Sequence, residues 1–330
     1  MLPTLGNNYN QMQLTNIENI IAEPLWRFRL SYKQAMASDV EVLHNIGTQL
    51  SSNQGKQLRP IFMLLCFGAS QACYNGVEHL AVALEMLHNS SLLHDDVVDE
   101  SAMRRGKPTA NSLYGNKIAV LCGDYFLAKV MLMLDEFNDR EVNRIVEHVV
   151  MEMSIGELLQ QSSSGIPDTT IEQYLDVIGR KTASLLAASC ELGALGTPYR
   201  AALREYGRHF GLAFQMRDDL LDYLPVGLTG KPTGNDLMEH KMTLPLIYFL
   251  KEAKDDEAAF LQRILKKGNN SKQDIARAVD IIYHSNAVAL TQQAIGKEAK
   301  QALLCLDTIP ESDYKEGLKV LTQFLNENLY

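Results

Sequence analysis

Apolar residues recur at helical spacing along almost the whole of this 330-residue chain. The chain lacks the Val-, Ile- or Thr-rich alternation of apolar and polar residues that is typical of a strand. Amphipathic helices without a sheet to cover must bury their apolar faces against one another. The pattern therefore predicts an all-α fold, with candidate helices at residues 15–50, 57–73, 76–99, 110–137, 140–161, 169–197, 199–224, 240–254, 271–307 and 312–328.

Composition favours one large domain. Hydrophobic residues make up 46% of the chain and charged residues 22%, so the chain can bury a sizeable core. The polar segments between the candidate helices are too short to be domain linkers. We therefore expect a single domain over residues 1–330, with residues 1–14 as a candidate disordered segment.

Charge and cysteine usage narrow the function classes. The net charge of −9 argues against nucleic acid as a partner. The cysteines form no CxxC pair, which favours reduced thiols in a cytoplasmic protein over disulfides or zinc ligation. No secretory signal is visible, and the longest apolar stretch, residues 118–134, is interrupted by Asp124 and Lys129. We expect transient membrane contact at most.

Two aspartate-rich pentapeptides stand out from this helical background, Asp95-Asp96-Val97-Val98-Asp99 and Asp218-Asp219-Leu220-Leu221-Asp222. Side chains at i and i+4 share one helix face, so each pentapeptide gathers carboxylates that repel one another. Carboxylates in this arrangement suit Mg²⁺, which completes its coordination with water and substrate phosphates. A solvated acidic helix end is the alternative for a single copy. Two copies, each on an apolar helix, favour paired metal sites beside a polyanion.

A polyanion bound to an acidic protein needs local positive charge. The candidate cations are Lys56, Arg59, Arg104, Arg105, Lys181, Lys231 and Lys241. Arginine offers a bidentate fork to phosphate, and lysine offers a point charge. His88 lies on the stripe that leads down the first acidic helix from Asp95 through Ser91, and is either a core histidine or a ligand-binding group. The second helix carries Gln215 on its own stripe, so the carboxylates converge if both helices are central.

At this point the residues resemble a known family. The segment from Leu92 through Asp95-Asp96-Val97-Val98-Asp99 to Pro108 resembles the first aspartate-rich motif of the trans-isoprenyl diphosphate synthases. Residues 214–222, followed by Gly230-Lys231 and Asn235-Asp236, resemble the second. Residues 55–60 are similar to the upstream element for isopentenyl diphosphate, and Lys181-Thr182 to the mid-chain Lys-Thr pair. One departure is Gln54 and Gln57, where the family usually has a glycine and a basic residue.

The resemblance implies a helical bundle with a deep central cavity, a homodimer and prenyl-chain elongation. It implies that Asp95, Asp99 and Asp218 bind Mg²⁺ at the allylic diphosphate, supported by Asp96, Asp219 and Asp222. The same diphosphate would be held by Arg104, Lys181, Lys231 and Lys241, with Thr182 and Gln215 beside them. Isopentenyl diphosphate would be held by Lys56, Arg59, His88 and Arg105.

The expected chemistry agrees with this set of residues. Ionising an allylic C–O bond releases diphosphate, whose growing negative charge metals and fixed cations stabilise. The allylic cation then needs a dry pocket and an alkene placed beside it. No protein nucleophile is required, and no persuasive Ser/His/Asp or Cys/His signature is present.

Product length should depend on the helix that carries Asp95. Each helical turn rises about 5.4 Å, on the order of one isoprene unit. In short-chain members a bulky aromatic near Ser90 and Ser91 acts as the floor, so two serines predict an open passage and a long-chain product, in the hexaprenyl to octaprenyl range or slightly longer. Candidate deeper floor residues are Leu84, Leu87, Met131 and Met133.

Three alternatives stay open. A class I terpene cyclase shares one aspartate-rich motif, but its second metal site has a different Asn/Ser/Glu pattern. A short-chain farnesyl or geranylgeranyl diphosphate synthase keeps both motifs. A non-catalytic subunit of a heteromeric synthase tends to lose motif carboxylates, whereas all six are present here.

Overall fold

The computed structural model describes residues 15–52, 55–225, 233–253, 255–266 and 270–325. Its first half contains helices α1 (Ala22–Ala35), α2 (Glu41–Ser52), α3 (Leu58–Ala69), α4 (Val77–Val98), α5 (Ala110–Tyr114), α6 (Asn116–Phe137) and α7 (Arg140–Ser163). Its second half contains α8 (Ile171–Ile178), α9 (Ser184–Gly193), α10 (Arg200–Leu221), α11 (Asn235–Met238), α12 (Leu244–Glu252), α13 (Asp255–Lys266), α14 (Lys272–Tyr283), α15 (Ala287–Cys305) and α16 (Asp313–Gln323). The predicted all-α class is confirmed.

Several predicted helices are divided in the structure. The predicted helix over 15–50 is interrupted after Ala35, and the one over 110–137 is interrupted at Gly115, whose φ of +84° ends the first piece. The predicted helix over 169–197 consists of α8, a π-helical turn over Gly179–Ala183, and α9. The one over 271–307 is divided between α14 and α15. Apolar periodicity continues across these breaks because both pieces pack on the same core.

Sequence periodicity missed the short helix α11, helix α13 and a hairpin. Helix α13 follows α12 after a short connection and was not predicted. A two-stranded hairpin, β1 (Met103–Arg104) and β2 (Lys107–Pro108), follows the first acidic cluster. Its turn residues Arg105 and Gly106 both have positive φ, of 51° and 75°, as in the two-residue turns that match strand twist. Strands of two residues are too short to show alternation.

Helix α4 is the central helix that the sequence predicted. Thirteen of its residues are buried, on all sides of the helix, and it packs against α6, α3 and α1. It begins after Gly76, whose φ of +90° suits glycine. Its buried residues are apolar except for Glu85, Asn89, Ser90 and, at the acidic C-terminal end, Asp96.

Helix α10 is the second element that brings an acidic end to the site. It packs against α15, α9 and the π-helical turn. Gly211 makes the last contact possible, since a Cβ atom there would lie 2.6 Å from the Cα of Ala183. Buried apolar side chains form one continuous cluster from Ile17 to Leu325, which fixes α4 and α10 relative to each other.

Within the described ranges, no helix combines the length and the hydropathy needed to cross a membrane. The predicted disordered segment, residues 1–14, lies outside the described residues.

Candidate functional site

The two aspartate clusters occupy the same position on their helices. Asp95 and Asp96 lie in the last turn of α4 and Asp99 caps it, while Asp218 and Asp219 end α10. The C-terminal end of a helix carries partial negative charge, so carboxylates there destabilise the fold. Because two helices both carry destabilising carboxylates at their C-terminal ends, we expect a functional site there.

Lysine side chains join the two ends. The Nζ atom of Lys241, which follows the second cluster in sequence, lies 3.0 Å from Oδ2 of Asp99 in the first cluster. Lys181 is near enough to Asp95 to lower the pKa of that carboxyl. A pocket that is partly open to solvent is lined by both lysines together with Asp218 and Asp219. The convergence expected from the sequence is therefore present.

Asp219 is held by a chain of hydrogen bonds. Thr182 donates to Oε1 of Gln215 (2.8 Å), and Gln215 donates through Nε2 to Oδ1 of Asp219 (2.7 Å). The hydroxyl of Tyr174 donates to the other oxygen, Oδ2, at 2.7 Å. Both oxygens of this buried carboxylate are thus engaged by the protein, whereas Asp218 beside it is exposed to the pocket.

Asp222 and Asp236 extend the second cluster. The Oδ2 atom of Asp222 accepts a hydrogen bond from the backbone N–H of Asp236 at 2.9 Å, so the turn after α10 folds back onto its own acidic end. Burial, with Asp219 and Asp222 nearby, raises the pKa of Asp236 well above its usual range. Asp236 lines the pocket, although the sequence analysis assigned it no separate role.

Burial raises the pKa of one carboxylate in each acidic cluster. Burial raises the pKa of Asp95 to about 6, with Lys181 lowering it and Glu157 raising it further. Burial likewise raises the pKa of Asp219 to about 6, although the hydrogen bonds from Tyr174 and Gln215 lower it. A divalent cation beside these carboxylates would stabilise their charged forms. Among the described residues, no group of three or more carboxylate, histidine or cysteine side chains is arranged to hold a metal ion.

A π-helical turn presents Lys181 and Thr182 to the pocket. π-Helical turns inside α-helices are frequent at functional sites. Gly156 of α7 packs on this turn so closely that a Cβ atom would lie 2.6 Å from the backbone N of Lys181. The next residue, Glu157, forms an ion pair with Lys181. Glu157 and Tyr174 were missed by the sequence analysis, and their only signal was a polar side chain on an inward-facing helical position.

Arg104 forms an ion pair with the first acidic cluster. Its Nε atom donates to Oδ1 of Asp96 at 2.7 Å, and Asp96 is buried. The hairpin that carries Arg104 therefore closes over the end of α4. Arg105, one residue further, turns towards α3, and its guanidinium lies 2.7 Å from where a Cβ atom on Gly55 would be. A Cβ atom at position 55 would force the Arg105 guanidinium to shift.

A second group of cations, here called the arginine cluster, consists of Arg59 and Arg105 beside His88. Burial lowers the pKa of His88 well below its usual range, and Arg59, Arg105 and Arg104 lower it further. His88 is therefore a neutral hydrogen-bonding group. Arg59 has a buried Nε atom without a partner among the described residues. Lys56, three residues before Arg59 in the chain, is exposed.

Gln57 explains how the chain departs from the expected motif. It is buried, adopts a φ of +48°, and its Oε1 atom accepts a hydrogen bond from Nε of Arg29 at 2.9 Å. A structural amide thus stands where the family usually has a basic residue, and it fixes the start of α3 to α1. Two other motif residues, Gln54 and the candidate phosphate ligand Lys231, lie outside the described residues.

Comparison with known proteins decides the family. Residues 40–282 match the family model described as Polyprenyl synthetase. The chain belongs to the polyprenyl synthetase family. It is 35% identical over 295 residues to the all-trans-nonaprenyl-diphosphate synthase (geranyl-diphosphate specific) of Rhodobacter capsulatus, covering 88% of this chain and 90% of that protein. It is 33% identical over 314 residues to the octaprenyl diphosphate synthase of Escherichia coli, covering 93% and 96%.

Solved structures agree with this assignment. The crystal structure of a polyprenyl synthase from Caulobacter crescentus, complexed with calcium and isoprenyl diphosphate, superimposes on this polyprenyl synthetase with a TM-score of 0.90. Sequence identity is 32%, and the match covers 95% of this chain and 97% of that one. This polyprenyl synthetase is therefore a prenyltransferase with the all-α isoprenoid synthase fold.

The candidate chain-length residues of this polyprenyl synthetase differ in their surroundings. Ser90 is buried, and its hydroxyl donates to the backbone oxygen of Gly123 on α6 at 2.9 Å. Ser91 is half-buried and donates only to the carbonyl of His88 in its own helix. Met131 is 56% exposed, so it does not close a passage inside one subunit, and this candidate floor residue is wrong for the single chain. Its position on α6 turns it outwards. Of the other candidate floor residues, Leu84 and Leu87 are buried and Met133 is half-buried.

Proposed function

We propose that this polyprenyl synthetase adds isopentenyl diphosphate units successively to an allylic diphosphate such as farnesyl diphosphate. The product is a long-chain all-trans polyprenyl diphosphate of the kind used for quinone side chains. The observation that carries this proposal is the meeting of two acidic helix ends around a pocket whose lysines bridge them, with Lys241 on Asp99.

Two diphosphate groups have separate places in this arrangement. The allylic diphosphate lies at what we call the metal-side site, formed by Asp95, Asp218, Lys181 and Lys241, with Arg104 contributing positive charge. The family resemblance adds Lys231, which lies outside the described residues. Asp95, Asp99 and Asp218, supported by Asp219 and Asp222, would hold Mg²⁺, which when bound supplies positive charge at the leaving diphosphate. The arginine cluster, with Lys56, holds isopentenyl diphosphate. The raised pKa values of Asp95 and Asp219 support the cation assignment, because both carboxylates need a counter-charge.

The protein residues contribute by binding and by electrostatics. The allylic C–O bond breaks, and its electron pair leaves with the diphosphate, whose charge Lys181 and Lys241 stabilise. The alkene of isopentenyl diphosphate, held beside the allylic carbon by Arg59 and His88, supplies the electron pair of the new C–C bond. The proton lost next restores the alkene and passes to the released diphosphate. No side chain is consumed.

A long product is supported by two observations. The relatives at 33–35% identity over most of the chain carry names of octaprenyl and nonaprenyl synthases. Small serines occupy positions 90 and 91, so this helix carries no bulky side chain at the two positions where short-chain members have an aromatic floor. Half-exposed Ser91 supports this more strongly than Ser90, whose hydroxyl is already bonded to α6.

We also propose a homodimer that works in the cytoplasm. Helix α6 exposes an apolar face at Val120, Leu121, Met131 and Leu132, which suits a second copy of the chain. Fully reduced cysteines suit a reducing compartment, and all five cysteines are unpaired thiols in the structure. Sedimentation of the purified protein tests the dimer, and a monomer at micromolar concentration would contradict it.

The deciding experiment uses the purified chain alone with Mg²⁺, farnesyl diphosphate and radiolabelled isopentenyl diphosphate. We expect products in the hexaprenyl to octaprenyl range or slightly longer. Products that stop at geranylgeranyl diphosphate would show a short-chain synthase. Absence of turnover, restored by a second protein, would show a subunit of a heteromeric enzyme.

A further inference from the structure

A buried glutamate lies beside the arginine cluster without a role in the proposed chemistry. Glu85, on α4, is only 8% exposed, and its Oε2 atom has no hydrogen-bond partner in the described part of the chain. Burying an unpaired carboxylate is costly, so a residue kept in this state needs a reason. The sequence analysis did not single out Glu85.

Charged and polar groups surround Glu85 from each neighbouring element. Arg59 reaches it from α3, Arg105 from the hairpin, and both attract it, lowering the pKa that burial raises. On the α1 side is Tyr32, whose hydroxyl accepts a hydrogen bond from Asn89 at 2.9 Å. Asn89 also donates to the backbone carbonyl of Glu85 at 2.7 Å, so the helix geometry here is fixed.

The influence of Glu85 on the arginines acts through space. Its Oε2 atom and the Nε atom of Arg59 are both buried, and neither has a hydrogen-bond partner among the residues that the structure describes. A carboxylate that held Arg59 in place would bond to it directly. One that remains unbonded changes the electrostatic potential instead, and it reduces the attraction of the cluster for an anion.

If the proposed function holds, successive elongation explains why a weaker attraction between the arginine cluster and diphosphate would be useful. Each product keeps the diphosphate that arrived with isopentenyl diphosphate, since the diphosphate that departs is the allylic one. Before the next addition, the product diphosphate must leave the arginine cluster and occupy the metal-side site. An arginine cluster that binds diphosphate too tightly would delay this transfer.

We propose that Glu85 sets the strength with which the arginine cluster holds diphosphate, weakening it enough for each elongated product to move on. Glu85 acts through Arg59 and Arg105 and does not touch the substrate. It is thus a positioning residue whose property of interest is its charge. The shape of the Glu85 side chain matters less than its charge. Neutral and charged replacements of Glu85 should therefore differ in their affinity for isopentenyl diphosphate.

Binding of isopentenyl diphosphate by calorimetry, with EDTA present and no allylic substrate, tests this directly. Glu85→Gln keeps the shape and removes the charge, and we expect it to bind isopentenyl diphosphate roughly tenfold more tightly than the unaltered protein. Glu85→Ala, a second neutral variant, should also bind more tightly, while Glu85→Asp should not. The matched control is Glu78→Gln, which removes a charge from the same helix where it pairs with Arg27, and which should leave affinity unchanged.

Kinetics supply the second measurement. In Glu85→Gln the KM for isopentenyl diphosphate should fall, the KM for farnesyl diphosphate should stay constant, and kcat for multiple additions should fall because transfer is slower. Equal or weaker binding of isopentenyl diphosphate by a neutral variant that melts like the unaltered protein would overturn the proposal. If the unaltered protein itself makes no prenyl product, the proposed function fails instead, and the two failures are distinct.

Discussion

Lys241 and Asp99 lie 3.0 Å apart, Nζ to Oδ2, although Asp99 caps α4 and Lys241 lies in the connection between α11 and α12. Lys241 also pairs with Glu239 at 2.5 Å, and these carboxylates raise its pKa above the usual range, against the effect of burial. The lysine is therefore permanently charged and held between the clusters. A diphosphate entering the pocket would meet a cation that is already in place.

Removing this cation should impair turnover more than folding. For Lys241→Met we expect kcat/KM for the allylic substrate to fall on the order of 100-fold, because a fixed charge at the leaving group is lost. Lys251→Met, an exposed lysine on nearby α12, is the matched control and should retain activity. Steady-state kinetics with farnesyl diphosphate measure both. Equal kcat/KM in the two variants would contradict the assignment of Lys241.

Stability should depend on pH and on divalent metal together. The pKa of Asp95 and of Asp219 is raised from 3.8 to about 6 in the folded protein. Between these values the folded state binds more protons than the unfolded state, so the free energy of unfolding falls as pH rises through this window. Mg²⁺ with inorganic diphosphate should therefore raise Tm more at about pH 7.5 than at about pH 5, where the carboxylates are largely protonated.

Differential scanning fluorimetry with Mg²⁺ or with EDTA measures this effect. Asp95→Asn combined with Asp219→Asn should make the metal-free protein less sensitive to pH in the same window, because neither side chain then titrates. An identical increase in Tm at both pH values in the unaltered protein would argue against a cation at these carboxylates.

Bulky side chains below Asp95 should shorten the product, with different costs at the two serines. Ser91→Phe projects from a half-buried position, so we expect shorter chains with a small change in stability. Ser90→Phe should also shorten chains, but it loses the hydrogen bond to Gly123 and overpacks the contact with α6, costing about 1–3 kcal/mol. Chain lengths from radiolabelled products and unfolding in urea measure the two effects. Unchanged product length in both variants would place the passage elsewhere.

Adding one methyl group at Gly156, where α7 packs against the π-helical turn, should lower stability and weaken substrate binding. Gly156→Ala puts a Cβ atom 2.6 Å from the backbone N of Lys181, so we expect a loss of about 1–3 kcal/mol and weaker binding of the allylic diphosphate. Gly179→Ala is the matched control, since its Cβ atom would meet only Leu212 Cδ2 at 3.9 Å. Unfolding in urea and the KM for farnesyl diphosphate report on each variant. Wild-type values for Gly156→Ala would show that the backbone can move apart at no cost.

Helical periodicity was enough to predict the fold class, and the aspartate spacing singled out the two acidic helix ends. Both signals are local, because side chains at i and i+4 share a face whatever the helix later packs against. The same local signals misplaced helix ends, since apolar spacing continued across Gly115 and across the break between α14 and α15. They also missed the hairpin that carries Arg104, whose strands are only two residues long.

Residues whose importance comes from a partner elsewhere in the chain required the tertiary structure. Tyr174 matters because its hydroxyl reaches Asp219, and Glu157 because Gly156 brings α7 against the turn of Lys181. Glu85 reads as an ordinary helical glutamate until Arg59 and Arg105 are placed beside it. A sequence records which groups a chain carries, but the charge that each one feels depends on burial and on neighbours brought together only by folding.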